Sequence, residues 1–280
     1  MSNSIPEIED ADLLFIFGYN GADSHPIVAR RIVRAKEKGA TLITVDPRVT
    51  ETARISDMHL PIKGGTNMIL VNAFGNVLIN ENLYDEEFIK EHTDNFEEYK
   101  KIVEPYTPEY AAKYTNIPAD MIRKTMREYA KAKDAMILYG MGVCQFSQAV
   151  DVVKGLASLA LLTGNFGRPN VGIGPVRGQN NVQGACDMGA LPDCYPGYQK
   201  VTNPEIRAKF EKAWGVKLPN KVGLKLTEVP HAVLEEHKIK AYYIFGEDPV
   251  QSDPDAAEVR EALDECEFVV VQDIFMNKTG

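Results

Sequence analysis

Cysteine is scarce and scattered. The chain has four, Cys144, Cys186, Cys194 and Cys266, with no Cys-x-x-Cys and no two closer than eight positions. That spacing excludes a disulfide frame and a thiolate metal cage, and reads as reduced thiols in a cytoplasmic protein. Histidine is as sparse: five residues and no His-x-x-x-His, so no protein-built metal site is expected. No apolar run is long enough for a membrane span. Lys and Arg total 31 against 40 Asp and Glu, a net charge of −9 with no basic block, which argues against a broad nucleic-acid surface. Gly-x-Gly-x-x-Gly is missing, and so is Gly-x-Ser-x-Gly; the usual NAD loop and the serine-hydrolase elbow are both absent. Residues 1–10 carry neither the positive region nor the apolar stretch of a signal peptide.

What is present is one layout written twice. The first copy runs Asp12-Leu-Leu-Phe-Ile-Phe17, a turn from Gly18 to Pro26, a helical pattern, Thr41-Leu-Ile-Thr-Val45 and Asp46. The second runs Lys240-Ala-Tyr-Tyr-Ile-Phe245, Gly246-Glu-Asp-Pro249, a helical pattern, Glu267-Phe-Val-Val-Val271 and then Asp273. Glycine and aspartate stand 28 positions apart in one and 27 in the other. Strand, polar turn, helix and strand ending in a carboxylate make a nucleotide-binding βαβ unit, and two copies suggest two nucleotide groups. A chain of 280 residues is expected to split into two α/β domains, Rossmann-like and doubly wound with mostly parallel sheets. The boundary is placed in the glycine-rich stretch, giving residues 1–178 and 179–280. Both ends stand close to core strands, so the chain is expected to be part of a longer protein, with the second domain incomplete.

Between the two copies the periodicity predicts helices over 67–80, 86–99, 118–130 and 148–163, with a strand at Ala135–Tyr139. Beyond them, helices are predicted at 203–214 and 229–236. Residues 167–197 are rich in Gly, Pro, Asn and Gln and show no period; a long loop of this kind usually carries function.

Two places could carry chemistry. The turn after Phe17 puts glycine, amide and hydroxyl groups at a helix start, which suits a phosphate. Asp46 closes the next strand, where a carboxylate accepts either guanine's N1–H and amino group or two ribose hydroxyls; spacing does not choose. His25 reads as a surface or capping residue. In the loop from Gly172 to Gly189, Arg177 stands among Gln179, Asn180, Asn181 and Gln183, and one guanidinium there would grip a small carboxylate at two points.

Several motifs together resemble the molybdopterin oxidoreductase family, and within it the formate dehydrogenase catalytic subunits. They are Phe17-Gly-Tyr-Asn-Gly-Ala-Asp-Ser-His-Pro26, Asp46-Pro-Arg48, Glu51-Thr-Ala-Arg54, Asp57-Met-His59, Gly140-Met-Gly-Val-Cys-Gln145, Leu162-Thr-Gly-Asn165, Pro175-Val-Arg-Gly-Gln-Asn-Asn-Val-Gln-Gly-Ala-Cys-Asp-Met-Gly-Ala-Leu-Pro192 and Gly246-Glu-Asp-Pro249. The resemblance implies two α/β domains, each holding one molybdopterin guanine dinucleotide, with one Mo or W atom shared between them. By the match, Gly18, Asn20, Asp23, Ser24, Asp46, Arg48 and Asn67 would contact one dinucleotide. Gly142, Gln145, Gln179, Gly246, Glu247, Asp248 and Asp273 would line the other or the region between. Arg177 would orient formate. The family's cysteine-rich 4Fe-4S segment, its Cys or selenocysteine metal ligand and its C-terminal domain do not match anything here. The chain therefore resembles the central domains, is expected to lack formate turnover alone, and implies an electron-accepting subunit or protein as partner. Two other readings stay open: an NAD-dependent dehydrogenase and a non-catalytic guanine-nucleotide-binding module.

Overall fold

The run Leu13-Leu-Phe-Ile-Phe17 has no polar face, and the computed structural model, which describes residues 2–280, shows the reason. It forms β1 (Leu13–Phe17), the middle strand of a five-stranded sheet. The others are β2 (Thr41–Val45), β3 (Met58–Leu60), β4 (Ala135–Tyr139) and β5 (Gly172–Pro175), in spatial order β3-β2-β1-β4-β5. All four pairings are parallel, and Leu13 pairs with Thr41 on one side and Ala135 on the other. A parallel sheet is covered on both faces, so its strands are apolar on both. Leu13, Phe15 and Phe17 enter one core with Phe74 and Tyr129. Leu14 and Ile16 enter the other with Val28 and Ile32. The Phe15 ring lies 5.5 Å from Phe74 and 5.7 Å from Tyr129, centroid to centroid.

The helices of this first unit are α1 (Gly21–Ser24), α2 (Pro26–Glu37), α3 (Glu51–Ile55), α4 (Asn67–Asn80), α5 (Glu86–His92), α6 (Phe96–Val103), α7 (Pro108–Thr115), α8 (Ala119–Lys131), α9 (Met141–Cys144) and α10 (Ala149–Leu162). Pro26 opens α2 with its φ preset, and Val28, Ile32 and Ala35 form its buried stripe. Helix α4 packs on α7, α8 and α10, so even Asn72 and Asn76 are buried. Asn76 Nδ2 meets that cost by donating to the carbonyls of Val103 and Glu104, each at 3.1 Å. The single helix expected over 86–99 is two. The Thr93 hydroxyl takes the Ile89 carbonyl at 2.7 Å, and Asn95 turns left-handed at φ +61°, which asparagine tolerates.

The chain divides into two compact units, the first ending at Asn180 and the second spanning Asn181–Gly280; the sequence-based boundary lay two residues earlier. The second unit holds α11 (Val182–Asp187), a β6–β7 ribbon (Cys194–Tyr195 and Gln199–Lys200), α12 (Pro204–Trp214), α13 (Val229–Leu234), β8 (Ala241–Phe245), α14 (Pro249–Ser252), α15 (Ala256–Glu265) and β9 (Phe268–Gln272). Strands β8 and β9 are parallel, with Ala241 opposite Phe268 and Phe245 opposite Gln272. The loop expected over 167–197 is thus partly ordered, containing β5, α11 and β6.

Glu7 ties the start of the chain to the far side of the sheet. Its carboxylate accepts from Asn3 Nδ2 at 2.8 Å, Asn170 N at 2.9 Å, Ser4 Oγ at 2.8 Å and Ser4 N at 3.0 Å, which holds its pKa down from 4.5 to about 2. A folded-state pKa below the unfolded value contributes stability above about 4.5, lost as pH falls towards about 2. Glu7→Gln is expected to lower the melting temperature at neutral pH, with the gap from wild type closing between about pH 5 and pH 2. Parallel calorimetric scans check it; a gap independent of pH refutes the tie.

Candidate functional site

The chain moves from β1 to β2 and β3 on one side of the sheet, then crosses back to β4 on the other. The reversal between β1 and β4 is a topological switch point, where connections leave the strand ends in opposite directions and open a crevice. A crevice of about 350 Å³ lies there. Its walls are the turn after β1 (Gly18, Tyr19, Asn20, Ser24, His25), the end of β2 (Asp46, Pro47, Arg48), the entry to α4 (Gly64, Asn67), the turn after β4 (Gly140, Met141, Gly142, Phe146) and the exit from β5 (Val176, Gly178).

The floor is bare backbone. Gly18 turns at φ +55° and donates its N–H to the Val45 carbonyl at 2.8 Å. Gly142 in turn donates to the Gly18 carbonyl at 3.0 Å. A Cβ on Gly18 would stand 2.7 Å from the carbonyl carbon of Gly142, and one on Gly142 would stand 2.8 Å from the Gly18 Cα. Neither residue admits a side chain, so the two strand ends touch and a ligand can approach main-chain atoms.

The polar groups above this floor are unevenly satisfied. Asp46 is 7% exposed, and its Oδ1 accepts from Arg48 N at 2.8 Å, while Oδ2 has no partner among the described residues. Asn67, also 7% exposed, stands at the first turn of the 14-residue α4, whose N-terminal end carries positive partial charge. Asn20 donates from Nδ2 to Asp23 Oδ2 at 2.5 Å. The buried Asn20 Oδ1 and Tyr19 hydroxyl have no partner among the described residues. Burial pushes the Tyr19 hydroxyl well above its ordinary pKa, so it stays a donor. An unpaired buried polar atom costs about 1–3 kcal/mol, and these two are groups in the crevice that a ligand would satisfy. Burial also raises the Tyr139 hydroxyl and the Cys144 thiol; the Arg177 charge pulls both back, which places that guanidinium near the mouth of β4.

The second unit repeats the first turn in miniature. Gly246 has φ +66° and donates its N–H to the Gln272 carbonyl at 2.9 Å, as Gly18 does to Val45. In each case the accepting residue precedes the aspartate, Asp46 or Asp273. Asp273 Oδ1 accepts from Phe275 N two residues on at 3.3 Å, matching the Asp46–Arg48 turn. Asn20 and Asp248 both precede a four-residue helix with similar backbone angles, φ −105° and ψ 80° against φ −120° and ψ 74°. Asp248 is engaged by Thr279, whose N–H and hydroxyl reach Oδ1 at 3.1 and 2.6 Å. Burial, then Asp253, raises the Glu247 carboxyl.

Of the residues singled out from sequence, Gly18, Asn20, Ser24, Asp46, Arg48, Asn67 and Gly142 share the first-unit crevice. Asp23 lies one bond behind it, on Asn20. Gln145 caps α9, and Gln145, Arg177 and Gln179 are exposed and outside the lining, though Val176 and Gly178 on either side of Arg177 are part of it. Gly246, Glu247, Asp248 and Asp273 gather at the ends of β8 and β9, where Asn277 Nδ2 donates to both Glu247 O and Asp273 Oδ2. Sequence reasoning passed over Tyr19, Gly64 and Phe146, and read His25 only as a surface or capping residue. The glycine pair Gly64-Gly65 before α4 was a signal; nothing local marked the histidine.

The sequence model of the molybdopterin oxidoreductase family matches residues 1–280. The chain belongs to that family. It is 57% identical to formate dehydrogenase H of Escherichia coli strain K12 over 281 residues, covering all of this chain and 39% of that protein. It is 50% identical to the alpha subunit of a formate dehydrogenase of Methanocaldococcus jannaschii, again over the whole chain and 41% of the relative. The chain spans about two fifths of the length of these relatives. Among solved structures, acetylene hydratase from Pelobacter acetylenicus superposes with a TM-score of 0.74 over 98% of this chain and 42% of that one, at 22% identity, a likeness of fold. The oxidoreductase family thus accounts for an α/β chain with a parallel central sheet, and no helix among the described residues is long and apolar enough to cross a membrane.

Closing the crevice floor tests its construction. Gly142→Ala is expected to cost about 1–3 kcal/mol by overpacking against Gly18, read by urea denaturation. Gly178→Ala, whose added carbon meets nothing within 4 Å, is expected to stay within about 0.5 kcal/mol of wild type. Equal effects would contradict the close contact.

Proposed function

We propose that this chain is the central part of a formate dehydrogenase catalytic subunit and that its switch-point crevice holds one guanine dinucleotide of a molybdopterin cofactor. The observation that carries the reading is the crevice itself, a bare glycine floor beside a buried carboxylate with an open oxygen and two orphaned polar atoms. The match of the whole chain to about two fifths of the length of formate dehydrogenases supports the substrate.

The residues present fit such a group. Gly18 and Gly142 let the pyrophosphate approach main chain. Asn20 and Asn67 supply neutral donors, Ser24 lines the same wall, and Arg48 supplies the positive charge that an anionic bridge needs. Asp46 accepts from the purine or the ribose. The matching turn of the second unit, with Gly246, Glu247, Asp248 and Asp273, would serve a second nucleotide, and Asp23, Gln145 and Gln179 would complete the surroundings. When bound, the molybdenum or tungsten centre supplies the two-electron acceptor for formate. Arg177 binds the formate carboxylate through two N–H donors and fixes its orientation, a role suited to a rigid planar guanidinium. The carbon gives up two electrons and a proton and leaves as carbon dioxide, so an electron-accepting subunit or protein is needed, and a cytoplasmic setting fits the reduced thiols.

Two measurements on the full-length protein test this. Arg177→Ala is expected to lower kcat/KM for formate by about 100-fold or more with metal content unchanged, since misplacing a bound substrate by a small distance costs that much. Unchanged formate oxidation rules out the arginine's role. For the nucleotide, titration calorimetry of the cofactor-free protein is expected to show GDP binding about 10- to 100-fold tighter than IDP, which lacks the 2-amino group. Asp46→Asn is expected to erase the difference. Equal affinities in the wild type assign Asp46 to the ribose instead.

A further inference from the structure

The loop that carries Arg177 is held by a residue 152 positions away. His25 Nε2 is hydrogen-bonded to the main-chain carbonyl of Arg177 itself. A carbonyl oxygen only accepts, so Nε2 carries the proton of the bond. The other ring nitrogen, Nδ1, sits 2.9 Å from Ser24 Oγ, whose hydroxyl also reaches the Asn20 carbonyl at 2.8 Å. The ring packs on Tyr19 with centroids 5.4 Å apart. His25 is thus held by two residues of the turn after β1, Ser24 and Tyr19, and presents Nε2 to the Arg177 backbone. Val176 and Gly178 line the same crevice as Tyr19, Asn20, Ser24 and His25. The turn that faces the cofactor crevice and the loop that carries the arginine are joined through one imidazole.

We propose that His25 is a positioning residue for Arg177: by holding the arginine's carbonyl it sets the backbone from which the guanidinium is aimed. The proposal rests on the reading of Arg177 as the formate-orienting group. On the strand side of Arg177, Val176 N donates to the Tyr139 carbonyl at 2.8 Å, and on the other side stands Gly178, so the bond at the Arg177 carbonyl restrains the backbone from which that side chain starts. An error of about 1 Å there is enough to cost about 10- to 100-fold in rate.

The amide of glutamine reaches about as far as Nε2 and keeps the donor, whereas the amide of asparagine reaches only as far as Nδ1 and loses it. In the full-length holoenzyme, His25→Asn is expected to raise the KM for formate and lower kcat/KM about tenfold, with His25→Gln within about threefold of wild type. On an Arg177→Ala background, His25→Asn is expected to add less than about a twofold loss, because the two act as one unit. Equal losses in the glutamine and asparagine variants, an undiminished loss on the Arg177→Ala background, or reduced metal content in His25→Asn would each overturn the proposal.

Trypsin supplies a readout that needs no cofactor, since the carbonyl it attacks after Arg177 is the one His25 holds. In full-length cofactor-free protein, cleavage of the Arg177–Gly178 bond is expected to run about fivefold or more faster in His25→Asn than in wild type or His25→Gln, in line with local opening controlling proteolysis. Equal rates in all three, including no cleavage in any, overturn the clamp. If Arg177→Ala leaves formate oxidation intact while the cleavage rates differ as expected, the contact stands and the assignment of the arginine fails.

Discussion

The contact between Gly18 and Gly142 is the constraint on which the site depends. Two parallel strands, β1 and β4, end side by side, and their connections must leave in opposite directions. A side chain on either glycine would wedge the two turns apart, since each Cβ would fall within 3 Å of the other's backbone. With hydrogen in that place, the Gly142 N–H reaches the Gly18 carbonyl and Gly18 reaches Val45, so three strand ends are laced at one level. The lacing costs a left-handed φ at Gly18, which only glycine adopts without penalty. In return the walls of the crevice, Asp46 just after β2 and Met141 at the start of α9 just after β4, are anchored to paired strands, which is what a binding constellation needs.

The same local solution occurs at Gly246, Gln272 and Asp273. Left-handed glycine, N–H to the residue before an aspartate, a turn closed on that aspartate and a four-residue helix recur in the same order. Recurrence of a hydrogen-bond pattern argues more strongly for a repeated unit than a spacing of 28 against 27, because spacing can arise from helix length alone. The context differs: the first copy sits in a five-stranded sheet with two covered faces, the second in a two-stranded pair whose Tyr243, Phe245 and Phe268 stay exposed.

Much of this was legible in the chain. Strands buried on both faces read as continuous apolar runs, and Leu13–Phe17, Thr41–Val45 and Ala135–Tyr139 do. Asp46 and the Gly18 turn were legible because the βαβ unit fixes where a carboxylate and a helix start must fall. Less visible was anything set by distant pairing. The break at Thr93–Asn95 interrupts a stretch whose composition favours helix throughout, and depends on one hydroxyl and one left-handed asparagine. His25 looked like a cap because it stands beside a helix start; its partner is a carbonyl far along the chain. Gly142 could be suspected from Gly140-Met-Gly142, but that its neighbour is Gly18 follows only from the order β1-β4 in the sheet.

The dinucleotide proposed for the crevice is a polyanion and the chain is acidic, which poses an electrostatic question. With a net charge of −9, the chain's overall field repels a dinucleotide bridge at long range. That field is screened over about 8 Å at physiological salt, whereas donors inside a crevice act at hydrogen-bond distance. Arg48, and Asn67 at the start of a 14-residue helix, are such donors, gathered where the sheet reverses. Asp46 in the same crevice would repel phosphate, so the phosphate and the carboxylate must occupy opposite ends. In the proposed complex that polarity would orient the nucleotide without any further device: the anionic bridge would lie towards Gly18, Asn20 and Ser24, and a hydrogen-bond-donating ring or sugar towards Asp46. Local chemistry of this kind gives direction as well as affinity, and an overall basic charge would have given only the second.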